Sequence, residues 1–149
     1  MKSFFDTSVL VYLFDADAQE KQRVAREILQ QETLEGRAVL STQVLQEFYV
    51  SVTRKLATPL APDAAHRAVA DLAALPTVQV DKELILRSIR RSQSIMVSFW
   101  DALIIEAALQ AGATKLLTED LQDGQAIEGL RITNPFVAPA SPSRKARRR

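Results

Sequence analysis

Cysteine is absent and histidine occurs once. Without thiols, disulfides, thiolate metal sites and cysteine nucleophiles are all excluded. The lone His66 gives no basis for a histidine-rich zinc site or a histidine-dependent triad, and its setting in Ala64-Ala65-His66-Arg67-Ala68 reads as a solvated helical position. Apolar runs are short, and none approaches the ~18 residues a membrane span needs. The N-terminus shows no basic region ahead of a signal-type apolar stretch, so the expected compartment is the cytoplasm. What remains is an ordinary globular composition, 47% apolar and 25% charged over 149 residues. That length suits one domain with a real core.

The formal net charge of +1 hides an asymmetry. The last nine residues, 141–149, carry five of the 19 basic residues and no acid. The expected organisation is therefore a slightly acidic domain over 1–137 and a disordered basic tail over 138–149. Such a tail can hold a polyanion loosely, and equally it can be a solvated terminus.

Patterning alternates short apolar strands with helical stretches. Ser3 to Phe5 reads as a buried strand, followed by a break at Asp6-Thr7-Ser8, where Thr7 or Ser8 caps a short helix over Val9 to Phe14. A helix is expected over 18–34, then a strand at Ala38-Val39-Leu40. A long helix capped by Ser41 or Thr42 carries the stripe Val44, Leu45, Phe48, Val52 and Leu56. Asp63 reads as the cap of a helix over 64–74, and Thr77 to Val80 as a third strand. Asp81 opens a helix over 82–93, and Ser98 begins another that Gly112 ends. Leu116-Leu117 and Leu130-Arg131-Ile132 supply the last strands. This order predicts an α/β fold, a three-layer α/β/α sandwich with a mostly parallel central sheet of four to five strands. In such sheets the ligand crevice lies beyond the carboxyl ends of the strands.

Four acids stand where a core-forming sequence would avoid them. Asp6 closes the first strand, Glu47 sits one turn into the long helix, Asp101 interrupts Phe99 to Ile105, and Asp120 follows the strand ending at Leu117. A carboxylate beside a core is costly unless something neutralises it. Each also has a plain structural reading: a turn for Asp6, solvent reach for Glu47, a helix N-terminus for Asp101, a cap for Asp120. Together they suit a hard divalent cation, which takes oxygen ligands and engages phosphates.

The segments Phe5-Asp6-Thr7-Ser8-Val9-Leu10, Gln46-Glu47-Phe48, Ser98-Phe99-Trp100-Asp101-Ala102 and Thr118-Glu119-Asp120 resemble the ordered acidic motifs of PIN-domain ribonucleases. The resemblance extends to the bacterial branch of VapC-type toxins from toxin–antitoxin pairs, and it spans residues 3 to 136. It implies a PIN-like fold and a Mg²⁺- or Mn²⁺-dependent endoribonuclease site. Asp6, Glu47, Asp101 and Asp120 would then be the metal-binding and catalytic acids. Thr7, Thr118 and Asp123 would support them, with Glu119 or Asp123 close enough to stand in for Asp120. The implied partners are an RNA substrate, a small antitoxin encoded nearby and a second copy of the chain in a homodimer. Water attack at phosphorus in such a site would leave 5′-phosphate and 3′-hydroxyl ends.

Two other readings compete. A PIN-like protein that binds RNA with little or no catalysis would gain nothing from clustered negative charge. A phosphatase of the haloacid dehalogenase type would carry a second aspartate two residues after Asp6, where this chain has Ser8. Among other residues, Phe99 and Trp100 read as core in preference to a base-stacking pair. Arg87, Arg90 and Arg91 read as an RNA track or as a charged outer face. Leu10, Tyr12, Leu13 and Phe14 are open between core and a partner surface.

Overall fold

The computed structural model describes residues 1–137; the basic tail expected over 138–149 lies outside the described residues. Six strands form one sheet: β1 (Lys2–Phe5), β2 (Ala38–Ser41), β3 (Thr77–Val78), β4 (Ala113–Leu117), β5 (Ala126–Ile127) and β6 (Leu130–Thr133). Their spatial order is β3-β2-β1-β4-β6-β5. All pairs are parallel except β5 with β6. The expected four to five strands are thus corrected to six. The extra strand is the two-residue β5, which turns straight back into β6 through Gly129 at φ +87° and has no periodic pattern of its own. The third strand ends at Val78, short of Val80, because the Val80 N–H donates to Thr42 Oγ1 (3.1 Å) and leaves the ladder.

Six α-helices connect the strands: α1 (Thr7–Leu10), α2 (Gln19–Leu34), α3 (Thr42–Arg54), α4 (Pro62–Ala73), α5 (Lys82–Ile95) and α6 (Phe99–Gln110). The chain steps outward from β1 to β2 to β3, then returns to place β4 on the other side of β1. Right-handed crossovers, nearly universal in such units, send the two sets of helices to opposite faces and make three layers. Phe4, Phe5, Leu40, Leu116, Leu117 and Ile132 fill the sheet centre, with Phe48, Leu84 and Ile105 packed from the helices. Among the described residues, no single helix is long and apolar enough to cross a membrane.

Local chemistry explains the boundaries. Asp6 itself, not Thr7 or Ser8, caps α1, its Oδ1 accepting from the Thr7 N–H. The expected helix Val9–Phe14 divides into α1 and a 3₁₀ turn over Val11–Phe14. Ser41, Asp81 and Ser98 cap α3, α5 and α6 as expected. Asp63 does not cap α4; Pro62 takes the first helical position, which its missing N–H suits, and Ala61 precedes it. Gly112, at φ +75°, turns α6 into β4.

Arg91 turns inward and Arg87, though exposed, is engaged beside it. Both bond Glu106 of α6, a carboxylate only 6% exposed, and Arg91 reaches Glu128 as well. Leu10 is fully buried, while Tyr12 and Leu13 pack partly buried on the core and Phe14 meets Phe48 edge-on. His66 is exposed.

Candidate metal centre

β1 is the strand at which the sheet order reverses, and ligand crevices in open α/β sheets form at such switch points. The Asp6 N–H donates to the Leu117 carbonyl (3.0 Å), tying the carboxyl ends of β1 and β4 together. Asp6 therefore leaves the sheet at the mouth of that crevice. A cavity of about 670 Å³ opens there, and Asp6, Glu47, Asp101 and Asp120 all line it.

Each acid arrives on a different element. The Asp6 side chain is nearly buried and accepts from the Thr7 N–H (2.7 Å), the Thr118 hydroxyl (2.7 Å) and the Ser8 hydroxyl (3.3 Å). Glu47, on the second turn of α3, accepts from Thr7 Oγ1 (2.9 Å) and from Gln43 Nε2 (3.0 Å). Asp101 enters on the first turn of α6, where its N–H donates to the capping Ser98 hydroxyl (3.1 Å). Asp120 follows β4, with its N–H donating to Thr118 Oγ1 (3.1 Å). Thr118 is fully buried and so ties Asp6 to the Asp120 backbone through one oxygen.

The absence of ion pairs sets these acids apart from the two acids buried elsewhere in the chain. Glu32 is also buried, but Arg37 grips it with two bonds and Ser3 adds a third, holding its carboxyl down to about 2. Glu106 has Arg87 and Arg91. Among the described residues, no ion pair involves Asp6, Glu47, Asp101 or Asp120. Burial pushes the Asp6 carboxyl up to about 6, against the lowering pull of the Thr118 hydroxyl, and the charges of Asp120 and Glu47 push the same way. Asp120 is raised as well, first by desolvation and then by the charges of Asp101, Glu119 and Glu47. Asp6 and Asp120 thus feel the neighbouring acids across the hollow, with no ion pair among the described residues to offset them.

The donor set fits a hard divalent cation, since every candidate ligand is an oxygen. Gln43 adds a further one: its Oε1 is buried without a hydrogen-bond partner beside Glu47. Among the described residues, no three carboxylates stand ready at ligand spacing. The four instead stand apart along the wall of an open hollow.

The supporting residues divide. Thr7 and Thr118 each donate to one of the acids. Asp123 does not approach them: it is exposed, does not line the cavity, and accepts from the Asn134 N–H (2.7 Å) in the loop that follows β6. Glu119 lines the cavity but is engaged by Lys21 and by the Tyr12 hydroxyl (2.8 Å), which fits it poorly to replace Asp120. Trp100 is also a correction, being 62% exposed on the cavity wall while Phe99 packs on the core. Ser8 reads in the sequence as a cap and Gln43 carries no reading there, yet both bond the acids. Adjacency to Asp6-Thr7 points to Ser8, and the four-residue helical spacing from Glu47 points to Gln43.

A mostly parallel sheet with acids from four elements at its switch point defines the class. The PIN domain profile matches residues 3–122, and the chain belongs to the PIN domain family. Solved structures share the fold. One is a toxin–antitoxin complex from Klebsiella pneumoniae, 20% identical over 91% of this chain and 98% of that one, with a TM-score of 0.65. DNA-bound VapBC from Salmonella typhimurium aligns equally, at 20% identity, the same coverage and a TM-score of 0.65. VapC20 of Mycobacterium tuberculosis, a toxin that cleaves the sarcin–ricin loop, is 18% identical over 87% of this chain and 99% of its own, with a TM-score of 0.61. No curated protein sequence matches the chain significantly.

Proposed function

We propose that this chain is a Mg²⁺- or Mn²⁺-dependent endoribonuclease, the toxin of a type II toxin–antitoxin pair, acting in the cytoplasm as a homodimer. One observation carries the proposal: four carboxylates line a single hollow and none of them is held in an ion pair among the described residues, although Glu32 and Glu106, buried elsewhere in the chain, are both paired with arginine. Membership of the PIN domain family and a fold shared with toxins of such pairs support it.

Asp6, Glu47, Asp101 and Asp120 would hold the cation. When bound, it supplies charge neutralisation and Lewis acidity for hydrolysis of a phosphodiester. The chain's own residues set the geometry. Thr118 and the Thr7 N–H hold both oxygens of Asp6, and Thr7 and Gln43 hold both oxygens of Glu47, so these two carboxylates are aimed before a cation arrives. Asp101 and Asp120 keep unbonded side-chain oxygens and can swing toward a ligand. Lys21 on Glu119 removes a fifth negative charge from the rim, which lessens repulsion of a polyanionic substrate.

RNA incubated with the purified protein and Mg²⁺ or Mn²⁺ is expected to be cut, with EDTA, Asp6→Asn and Asp101→Asn each abolishing the cleavage. Equal cutting by the variants would expose a contaminant and remove the assignment. For the toxin role, expression should arrest growth, and co-expression of a short neighbouring reading frame should relieve it.

A further inference from the structure

We propose that Trp100 is a base-stacking platform that holds one nucleobase of a single-stranded RNA beside the acidic hollow, and so positions the nucleotide next to the scissile phosphate. The proposal rests on the nuclease reading and deepens it.

The indole is out of place for a packing residue. Residues 102–108 of α6 are all buried, yet Trp100 on the same helix is 62% exposed. Exposing so large an apolar ring gives up burial that the rest of the helix uses. The ring is nonetheless held. Ser98 caps the turn that carries it, and Phe99, packed on the core, meets it nearly edge-on with ring centroids 5.2 Å apart and planes at 68°. The Trp100 carbonyl accepts from Gln43 Nε2 (3.3 Å), the same nitrogen that donates to Glu47. The backbone that carries the indole is thereby tied to one carboxylate of the hollow through Gln43 and to another, Asp101, through the chain.

Single-stranded RNA is read through splayed bases stacked on aromatic side chains, and every base offers a π face. A fixed and largely bare indole on the wall of a cavity that holds phosphodiester-cleaving acids suits that task. Lys55 lines the same cavity and offers a cation to the sugar–phosphate backbone.

Trp100 is the chain's only tryptophan, so its fluorescence reports this position alone. The full-length Asp6→Asn chain in Mg²⁺ is titrated with short single-stranded RNA oligomers carrying one abasic residue at successive positions, and binding is followed independently by anisotropy of labelled RNA. Intact oligomers are expected to quench the emission. One abasic position should remove the quench and weaken binding by about fivefold to a hundredfold. Adding Trp100→Ala should cost the same factor and erase the abasic dependence, while Trp100→Phe retains most of the affinity. In the otherwise unaltered chain, Trp100→Ala should raise KM and leave kcat within about twofold. RNA binding without any quench overturns the proposal, as does cleavage by Trp100→Ala at unchanged KM. Emission that shifts on dilution of the protein without RNA also overturns it, by marking Trp100 as a contact between copies. Quenching and abasic dependence without cleavage in any metal would sink the nuclease reading and leave the stacking in place.

Discussion

Asp6 carries the strongest conflict of any side chain in the hollow. Its carboxyl titrates near 6 in the folded chain against 3.8 for the free group. Between those values the native state holds a proton that the unfolded state has released, so this group makes the protein more stable as pH falls from about 7 toward 4. The full difference is worth about 3 kcal/mol. Glu32 acts oppositely: its carboxyl is lowered to about 2, so its stabilisation is present above about pH 4.5 and is lost as the solution becomes more acidic than that. Urea denaturation in EDTA is therefore expected to show greatest stability near pH 4 to 5. Asp6→Asn should flatten the limb between pH 4 and 7 and leave the Glu32 limb intact. Equal slopes in the two proteins would refute this account.

Thr118 offers a finer test at the same scale. Its hydroxyl lowers the Asp6 carboxyl, partly offsetting burial. Thr118→Val keeps the shape and removes the bond, so the acid limb of the pH–rate profile should move to higher pH while Thr118→Ser stays near the parent. A profile that drops in height without moving would mean that Thr118 acts through packing alone.

At the scale of elements, α5 and α6 decide where Asp101 stands. The two helices meet at a bend of 115°, and Arg91 clamps Glu106 from one to the other at 2.6 Å. Arg91→Ala leaves a carboxylate that is 6% exposed with only the half-exposed Arg87 as partner. Breaking such a pair from one side destabilises by about 3 kcal/mol. The paired change Arg91→Met with Glu106→Leu should recover most of that loss, because no unpaired buried charge remains. Midpoints of urea unfolding measure both. Cleavage measured well below the unfolding temperature should persist in Arg91→Ala, since neither arginine faces the hollow.

Over the whole molecule, binding of a divalent cation to the folded state alone must raise stability, by about 2.7 kcal/mol at a hundredfold excess over Kd. Mg²⁺ or Mn²⁺ is expected to lift the melting temperature of the parent chain at pH 7.5. It should do so far less in Asp6→Asn or Asp101→Asn. An equal rise in all three would place the cation elsewhere.

How far the sequence spoke differs by kind of feature. Capping chemistry at Ser41, Asp81 and Ser98 was legible because a single side chain meeting a nearby N–H determines it. The alternation of apolar strands and helices likewise conveyed the sheet and its parallel order. Asp6, Glu47, Asp101 and Asp120 were legible as oddities of composition at strand and helix ends, and the fold brings them to one cavity. Long-range pairing was not. Nothing local says that Lys21 and Tyr12 would engage Glu119, or that Asp123 would turn to the Asn134 backbone. Trp100 misled for a related reason. In a helix apolar on almost every side, only the neighbouring elements decide which residue stays uncovered. The β5 strand is two residues long and carries no period to detect.

The acids enter from positions 6, 47, 101 and 120, so the first and last are separated by most of the polypeptide, and β4 must slot in beside β1 before the hollow exists. A ribosome translating this message therefore releases the acids one by one, and the hollow lined by all four cannot form until synthesis has passed Asp120.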